Sequence, residues 1–262
     1  MIFILGAKGF LGSALVRECR EQGLEYRGID QQEYQEYAGG ECDLLINANG
    51  NSRKYLAREA PLEDFAMNVT AVRRSLEDFR YRKYVLFSSA DVYPDASSPE
   101  TTDEQSAIDP AQQTPYGFHK YLTEQCVRHR ATRWLILRLS GFVGPGLTKN
   151  PVHDVLSGAP LWVDAASEFQ YLHTRDLAAI VLRLAARAES DGETVNVGAQ
   201  GTLSVAQLSQ MTGRAVHLRA GSPRVRCELG LARLARYCEV PTSRAAVQRF
   251  LDEMQDAPNS EK

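Results

Sequence analysis

The chain has 262 residues, of which 44% are hydrophobic and 24% charged, with a formal net charge of −3. This is the make-up of a soluble globular protein with one large domain, or a large and a small one. The mild acidity gives no support for nucleic-acid binding, and no apolar run approaches the roughly 18 residues of a membrane helix. Five cysteines without a CxxC pair point to reduced, cytosolic thiols, and five histidines without ligand spacing point away from a metal.

The apolar opening Met1-Ile-Phe-Ile-Leu5 has no basic stretch before it. It reads as a first strand over residues 2–5, not as a signal peptide. Phe10, Leu11, Ala14, Leu15, Val16 and Cys19 recur at helical spacing over residues 10–22, and Gly23 supplies the stop. Tyr26 to Ile29 is a second strand ending at Asp30, and Asp43 to Asn47 a third. The link between them is too short for a full crossover helix plus another strand. The third strand is therefore expected on the far side of the first, with the second left as an edge, bare or capped by residues 31–42. Leu62 to Phe79 reads as one long helix and Tyr84 to Ser88 as a fourth strand. Pro94 to Pro110 is a polar, acidic loop. A helix runs from Tyr116 to about His129, and Trp134 to Leu139 is a fifth strand. Beyond it come an irregular Gly- and Pro-rich stretch at 141–160, an apolar helix from Asp176 to Ala188, a short strand from Thr194 to Val197, a helix from Val205 to Met211 capped by Ser204, and a tail over 256–262. The alternation of strand and helix over the first 140 residues predicts an α/β fold with a doubly wound parallel sheet.

Three clusters carry chemistry. Gly6-x-x-Gly9-x-x-Gly12 lies between a strand and a helix, where glycines permit a tight turn, approach of a pyrophosphate and close helix packing. Asp30, at the end of the second strand, is placed to accept hydrogen bonds from an adenosine ribose, which favours NAD over NADP; Lys8, inside the turn, is the counterweight. Ser88 and Ser89 end the fourth strand, where ligands of open parallel sheets bind. Tyr116 and Lys120 are four residues apart, one helical turn, and share a face. An ammonium beside a phenol favours the phenolate, and a phenol held near neutrality exchanges protons with an alcohol or carbonyl.

The chain resembles the extended short-chain dehydrogenase/reductases, the NAD-dependent epimerase/dehydratase group, from residue 1 to about 210. The resemblance rests on Gly-Ala-Lys-Gly-Phe-Leu-Gly12, Asn47-Ala48-Asn49-Gly50, Met67-Asn68-Val69, Ser-Ser89-Ala-Asp-Val-Tyr93, Pro-Tyr116-Gly-Phe-His-Lys120, and the stretches Leu-Arg-Leu-Ser140-Gly-Phe-Val143-Gly-Pro-Gly and Tyr-Leu-His-Thr-Arg-Asp-Leu-Ala. It implies a Rossmann-type domain over 1–140 and a smaller C-terminal substrate domain over 141–255, interleaved with the first.

It further implies that Tyr116 is the general acid/base, that Lys120 holds the nicotinamide ribose and lowers the tyrosine pKa, and that Ser89 bonds the reacting oxygen. Gly6, Lys8, Gly9, Phe10, Leu11, Gly12, Asp30, Asn47, Ala48, Asn49, Asn68, Ser88, Ser140 and Val143, with Tyr116 and Lys120, would line the cofactor. Asp91, Tyr93, Lys149, Asn150 and Gln170 would join Ser89 around substrate.

Two departures narrow the activity. Ala90 stands where sugar dehydratases carry an acid, which disfavours elimination. Glu168-Phe-Gln170 stands where an arginine often grips a nucleotide-sugar diphosphate. The expected activity is NAD(P)-dependent oxidation, reduction or epimerisation of a sugar-like substrate. The alternatives are a ketone or aldehyde reductase of a small non-nucleotide compound and a non-catalytic dinucleotide sensor. The apolar content of residues 62–79 and 115–130 points to a cytosolic homodimer paired through those helices. His119 and His173 read as packing residues, and Arg138 as a salt-bridged one.

Overall fold

The computed structural model describes residues 1–256. In chain order the first elements are β1 (Ile2–Leu5), α1 (Phe10–Glu21), β2 (Tyr26–Ile29), α2 (Tyr34–Tyr37), β3 (Glu41–Asn47), α3 (Leu56–Glu59), α4 (Pro61–Phe65), α5 (Ala71–Asp78), β4 (Arg80–Phe87), α6 (Pro115–Arg130) and β5 (Trp134–Leu139). There follow β6 (Gly141–Val143), α7 (Pro151–Ser157), β7 (Glu168–Phe169), β8 (Tyr171–His173), α8 (Thr174–Ala185), β9 (Glu193–Val197), β10 (Leu203–Ser204), α9 (Val205–Thr212), β11 (Arg226–Cys227) and α10 (Ser243–Asp256).

The chain forms two compact units. The first takes residues 1–94, 104–139 and 177–196. Its six-stranded sheet runs β2-β1-β3-β4-β5-β9, with parallel pairing from β2 through to β5. This is the Rossmann-type arrangement. The third strand lies on the far side of the first, β2 is the edge, and its link carries only the single turn α2, as the short spacing requires. Ile4, Leu5, Leu45, Ile46, Val85, Leu86, Leu135 and Ile136 are buried, the apolar runs expected of strands covered on both faces. The second unit takes residues 95–103, 140–176 and 197 onward. It holds the small sheets β10-β7-β11 and β6-β8, with a core of Val143, Val152, Tyr171, Leu203, Leu208, Val247 and Phe250.

Three expectations change. The long helix over 62–79 is interrupted: a π-helical turn over Ala66–Thr70 separates α4 from α5. Single π turns inserted into α-helices recur at functional sites, and this one carries Asn68. The stretch 141–160 is more ordered than its Gly/Pro content implied. It contains β6 and α7, the latter started by Asn150 as N-cap, whose Oδ1 accepts from His153 N at 3.0 Å, and by Pro151. Ser204 does cap α9, accepting from Gln207 N at 3.1 Å, while α10 at 243–256 had no anticipated signal. Asp256 closes that helix, so the expected tail begins inside it, and residues 257–262 lie outside the described residues. All five cysteines are free, and among the described residues no helix is long and apolar enough to cross a membrane.

Candidate active site

The glycine turn connects β1 to α1 as expected. Gly6 has φ +77°, the left-handed region, and a Cβ on Gly12 would lie 2.0 Å from the Gly6 carbonyl oxygen, so neither position tolerates a side chain. Gly9 is the N-cap of α1 and offers no side-chain acceptor to the first amides. The helix therefore begins with unsatisfied N–H groups beside a backbone that nothing blocks, an arrangement that fits a pyrophosphate. Phe10 and Leu11 open the helix half-buried. At the end of β2, Asp30 Oδ1 accepts from Lys8 N at 3.1 Å, and Lys8 Nζ lies 3.6 Å from Asp30 and 3.7 Å from Glu33. Lys8 thus lies beside two carboxylates, with its side chain largely exposed.

Helix α6, which carries Tyr116 and Lys120, starts with Thr114 as N-cap, its hydroxyl accepting from Gly117 N at 3.1 Å, and Pro115 at its first position. Gly117 has a further role that its place beside Tyr116 did not reveal. A Cβ there would fall 2.0 Å from the Asp91 carbonyl oxygen, so glycine lets α6 press directly on the turn after β4. That close contact brings Tyr116 and Lys120 to the strand end that carries Ser89.

Tyr116 and Lys120 are both buried. Lys120 Nζ donates to Phe87 O at 2.8 Å. Burial lowers the Lys120 pKa to about 8, against the opposing pull of Glu124, Asp64 and Asp91. The expected depression of the Tyr116 pKa is not found. Burial, reinforced by the carboxylates of Asp91 and Asp64, pushes the phenol up. The physical reason is that burial disfavours the phenolate, the Asp91 and Asp64 charges add to this, and the Lys120 ammonium is bonded to a backbone carbonyl. A cationic nicotinamide is the kind of group that would reverse the balance.

Ser89 Oγ donates to Asp91 Oδ2 at 2.7 Å, and Asp91 pairs with Lys54 Nζ at 2.7 Å. Lys54 also lies 6.0 Å from the centre of the Tyr116 ring. The sequence offered no motif for Lys54; it enters because the loop after β3 folds over the β4 end.

Several anticipated ligands are committed to internal partners. Asn47 Nδ2 donates to Tyr84 Oη at 2.7 Å and Ser75 Oγ at 3.1 Å, while its Oδ1 accepts from Asn49 N; Ala48 and Asn49 are half-buried, and the Asn49 amide lies beside the Gly6 turn. Ser88 Oγ donates to Glu124 at 2.6 Å. Tyr93 Oη donates to Asn196 at 2.8 Å, beneath the Arg138 guanidinium. In the second unit, Gln170 bonds both N and O of Leu229, Asn150 Nδ2 donates to Phe142 O, and Val143 is core. Ser140 N donates to Val197 O, and its side chain is half-buried; Lys149 is exposed. His173 is buried and paired with Glu253 at 3.0 Å. The buried polar atoms among these are bonded within the protein, as buried polar groups generally are.

A deeper layer bears out Arg138 as a salt-bridged residue and supplies the partner, Glu124, that the sequence did not name. Glu124, one turn beyond Lys120 and fully buried, accepts two hydrogen bonds from Arg138, at 2.9 and 3.0 Å, and one from Arg128 at 3.1 Å. Burial raises its carboxyl pKa, but the Arg138 charge and hydrogen bonds outweigh this and hold it below the usual carboxylate range. On the other side of the helix, His119 Nδ1 lies 2.6 Å from the buried Asp64.

The profile of the NAD dependent epimerase/dehydratase family matches residues 2–198. No curated protein matches the chain. Among solved structures it is similar to a UDP-galactose 4-epimerase, with 22% identity, TM-score 0.80, and 98% of this chain and 99% of that one covered. It is similar also to MoeE5 in complex with UDP-glucose and NAD (18%, 0.80, 97% and 99%). A third is a dTDP-4-dehydrorhamnose reductase from Bacillus anthracis in complex with NADP (20%, 0.77, 96% and 97%). At these identities the structures speak for the fold. The family match, covering most of the chain, goes further: this protein belongs to the NAD dependent epimerase/dehydratase family.

Proposed function

We propose that the protein is an NAD(P)-dependent oxidoreductase or epimerase acting at a carbinol or carbonyl carbon of a sugar-like substrate. The observation that carries this reading is the convergence of Ser89, Tyr116 and Lys120 at the C-terminal end of the parallel sheet, in the unit that also holds the glycine turn. Tyr116 exchanges the hydroxyl proton, Ser89 orients the reacting oxygen, and Lys120 holds the cofactor ribose. A nicotinamide bound there would supply the carbon that accepts or donates hydride. Elimination is disfavoured, because buried Ala90 offers no acid. A non-catalytic sensor is disfavoured too, since sensing needs no buried acid/base set.

The case for nucleotide attachment is stronger than position 168 implied. Arg224 and Arg226 lie 3.5 and 3.9 Å from Glu168, and Arg226 also pairs with Glu228 at 2.6 Å, so two guanidinium groups stand beside position 168 and would have to leave these carboxylates to meet a diphosphate. Guanidinium suits diphosphate oxygens, and the similar structures include proteins with UDP-sugars bound. The test is a panel of nucleotide sugars and free carbonyl sugars, read by nicotinamide absorbance and by isotope exchange at the carbinol. Turnover of nucleotide sugars alone supports the reading. Turnover of free carbonyl compounds alone moves the function to a small-molecule reductase.

Asp30 accepts readily from a ribose diol and repels a 2′-phosphate, and Lys8 is already paired. NAD(H) should therefore bind more tightly than NADP(H) in titrations of both, and Asp30→Ala should narrow the gap.

A homodimer in the cytosol completes the proposal. Tyr55, Leu62, Phe65, Met67 and Phe118 are exposed apolar side chains on or beside α3, α4, the π turn and α6. A second copy would cover these side chains, whereas Val69, Val72, Leu76, Phe79 and Val127, which also made those segments apolar, are buried within the chain. Light scattering at micromolar concentration should report twice the chain mass, and Leu62→Glu with Phe65→Glu should return it to one.

A further inference from the structure

We propose that Asp64 and His119 are positioning residues that hold the Asn68 amide in one orientation, with its carbonyl turned toward Lys120. This rests on the Ser89/Tyr116/Lys120 reading above.

Asp64 is wholly buried on α4, and three side-chain donors converge on it. Its Oδ1 accepts from Asn51 Nδ2 at 2.7 Å and from Asn68 Nδ2 at 3.0 Å, and its Oδ2 faces His119 Nδ1 at 2.6 Å. An ionised carboxylate only accepts, so it dictates what its neighbours present. His119 must carry its proton on Nδ1. Asn68 must turn its NH2 group to Asp64, and the same group also donates to Asp64 O at 3.1 Å.

The consequence falls on the other end of the amide. Asn68 Oδ1 is buried and has no protein partner. It points at Gly50: a Cβ on that glycine would lie 3.0 Å from Asn68 Oδ1 and 3.6 Å from Lys120 Nζ. Gly50 thus leaves open a small space faced by one acceptor and one ammonium. Were the amide reversed, Lys120 would face a second donor, and the carboxylate would face an oxygen. Both contacts would be repulsive, so the orientation is secured by the buried charge and not by packing. Asp64 and Asn68 are four residues apart, so helical spacing already puts them on one face, with Asn68 inside the π turn. The positions reach the same place from three segments: Asn51 from the loop after β3, Asp64 and Asn68 from the interrupted helix, and His119 from the catalytic helix beside Lys120.

The experiment uses the full chain with saturating NAD. Asn68 side-chain amide signals are identified by their loss in Asn68→Ala, and their solvent exchange is followed by NMR, which needs no substrate. Asp64→Asn, which keeps the shape, should speed that exchange by about tenfold, the loss of a hydrogen bond to a charged acceptor. On the substrate found by the panel it should lower kcat by about tenfold to a hundredfold. KM and NAD affinity should stay within about twofold. The double variant Asp64→Asn with Asn68→Ala should be no slower than Asn68→Ala alone, because Asp64 acts through Asn68. His119→Asn, which keeps a donor where Nδ1 lies, should retain kcat, and His119→Ala should not. Unchanged exchange in Asp64→Asn, or additive losses in the double variant, would overturn the proposal. If Asp64→Asn does not fold, the two His119 variants decide it by the same exchange and kcat readouts. Altered amide exchange together with normal turnover by Tyr116→Phe would sink the catalytic reading and leave the amide orientation standing.

Discussion

Tyr116→Phe should lower turnover by about a hundredfold to ten-thousandfold, the usual range for loss of one general acid/base group, with NAD affinity and thermal stability almost unchanged. The ring of Tyr116 is buried and stays in place in phenylalanine; only the hydroxyl is lost. The effect should be on kcat and not on cofactor binding, because the glycine turn and Lys120 are untouched. The phenol of the cofactor-free protein is held protonated by burial and by the nearby Asp91 and Asp64 carboxylates. Addition of NAD should therefore bring the tyrosinate absorbance of the wild type to lower pH, and the same addition should do nothing in Tyr116→Phe. If the variant turns over normally on the true substrate, the proton is carried by another group and the assignment of Tyr116 is wrong.

Arg138→Ala should be the most destabilising single change near the site, costing about 3–5 kcal/mol, because it strips a fully buried carboxylate of its bidentate partner while Glu124 has no access to solvent. Arg128 and Ser88 remain as partial compensation. Urea denaturation of the two proteins measures the difference. The control is the double variant Arg138→Met with Glu124→Leu, which replaces the ion pair by apolar groups and should recover most of the loss. If Arg138→Met alone is as stable as the double variant, lost packing, not an orphaned charge, is the cause. The double variant carries a separate chemical consequence. Glu124 is the foremost charge holding Lys120 protonated against burial, so without it the lysine should lose its proton at lower pH, and turnover should fall on the alkaline side sooner than in the wild type.

Much of the fold was legible along the chain because it is written in local patterns. Short apolar runs ended by Gly, Asp or Ser marked the parallel strands, and the brief link after Asp30 settled which side of β1 the third strand takes. The glycine turn and the Tyr116/Lys120 pair were legible for the same reason: each is a spacing within one turn or one helix. The interrupted helix was not, since the apolar spacing over 62–79 suits an unbroken helix and carries no mark of the π turn at Ala66–Thr70. Nor was α7 within 141–160, where Asn150 and Pro151 start a helix inside a run that reads as loop.

What only the tertiary structure decided is the partnership of polar groups far apart in the chain. Glu124 meets Arg138 across α6 and β5, His119 meets Asp64, Lys54 meets Asp91, and Arg224 and Arg226 meet Glu168. It also decided which internal partners the expected ligands hold. Asn47, Ser88, Tyr93 and Gln170 sit at positions that match the family pattern, yet their side chains are spent on buried neighbours. The direction of the Tyr116 pKa belongs to the same class. The sequence by itself determined that a lysine stands one turn from a tyrosine; whether the phenol feels that charge depends on where the ammonium points and on how much water the fold leaves beside it. Spacing along a helix sets neighbours, while burial and long-range contacts set electrostatics, and only the folded chain brings the two together.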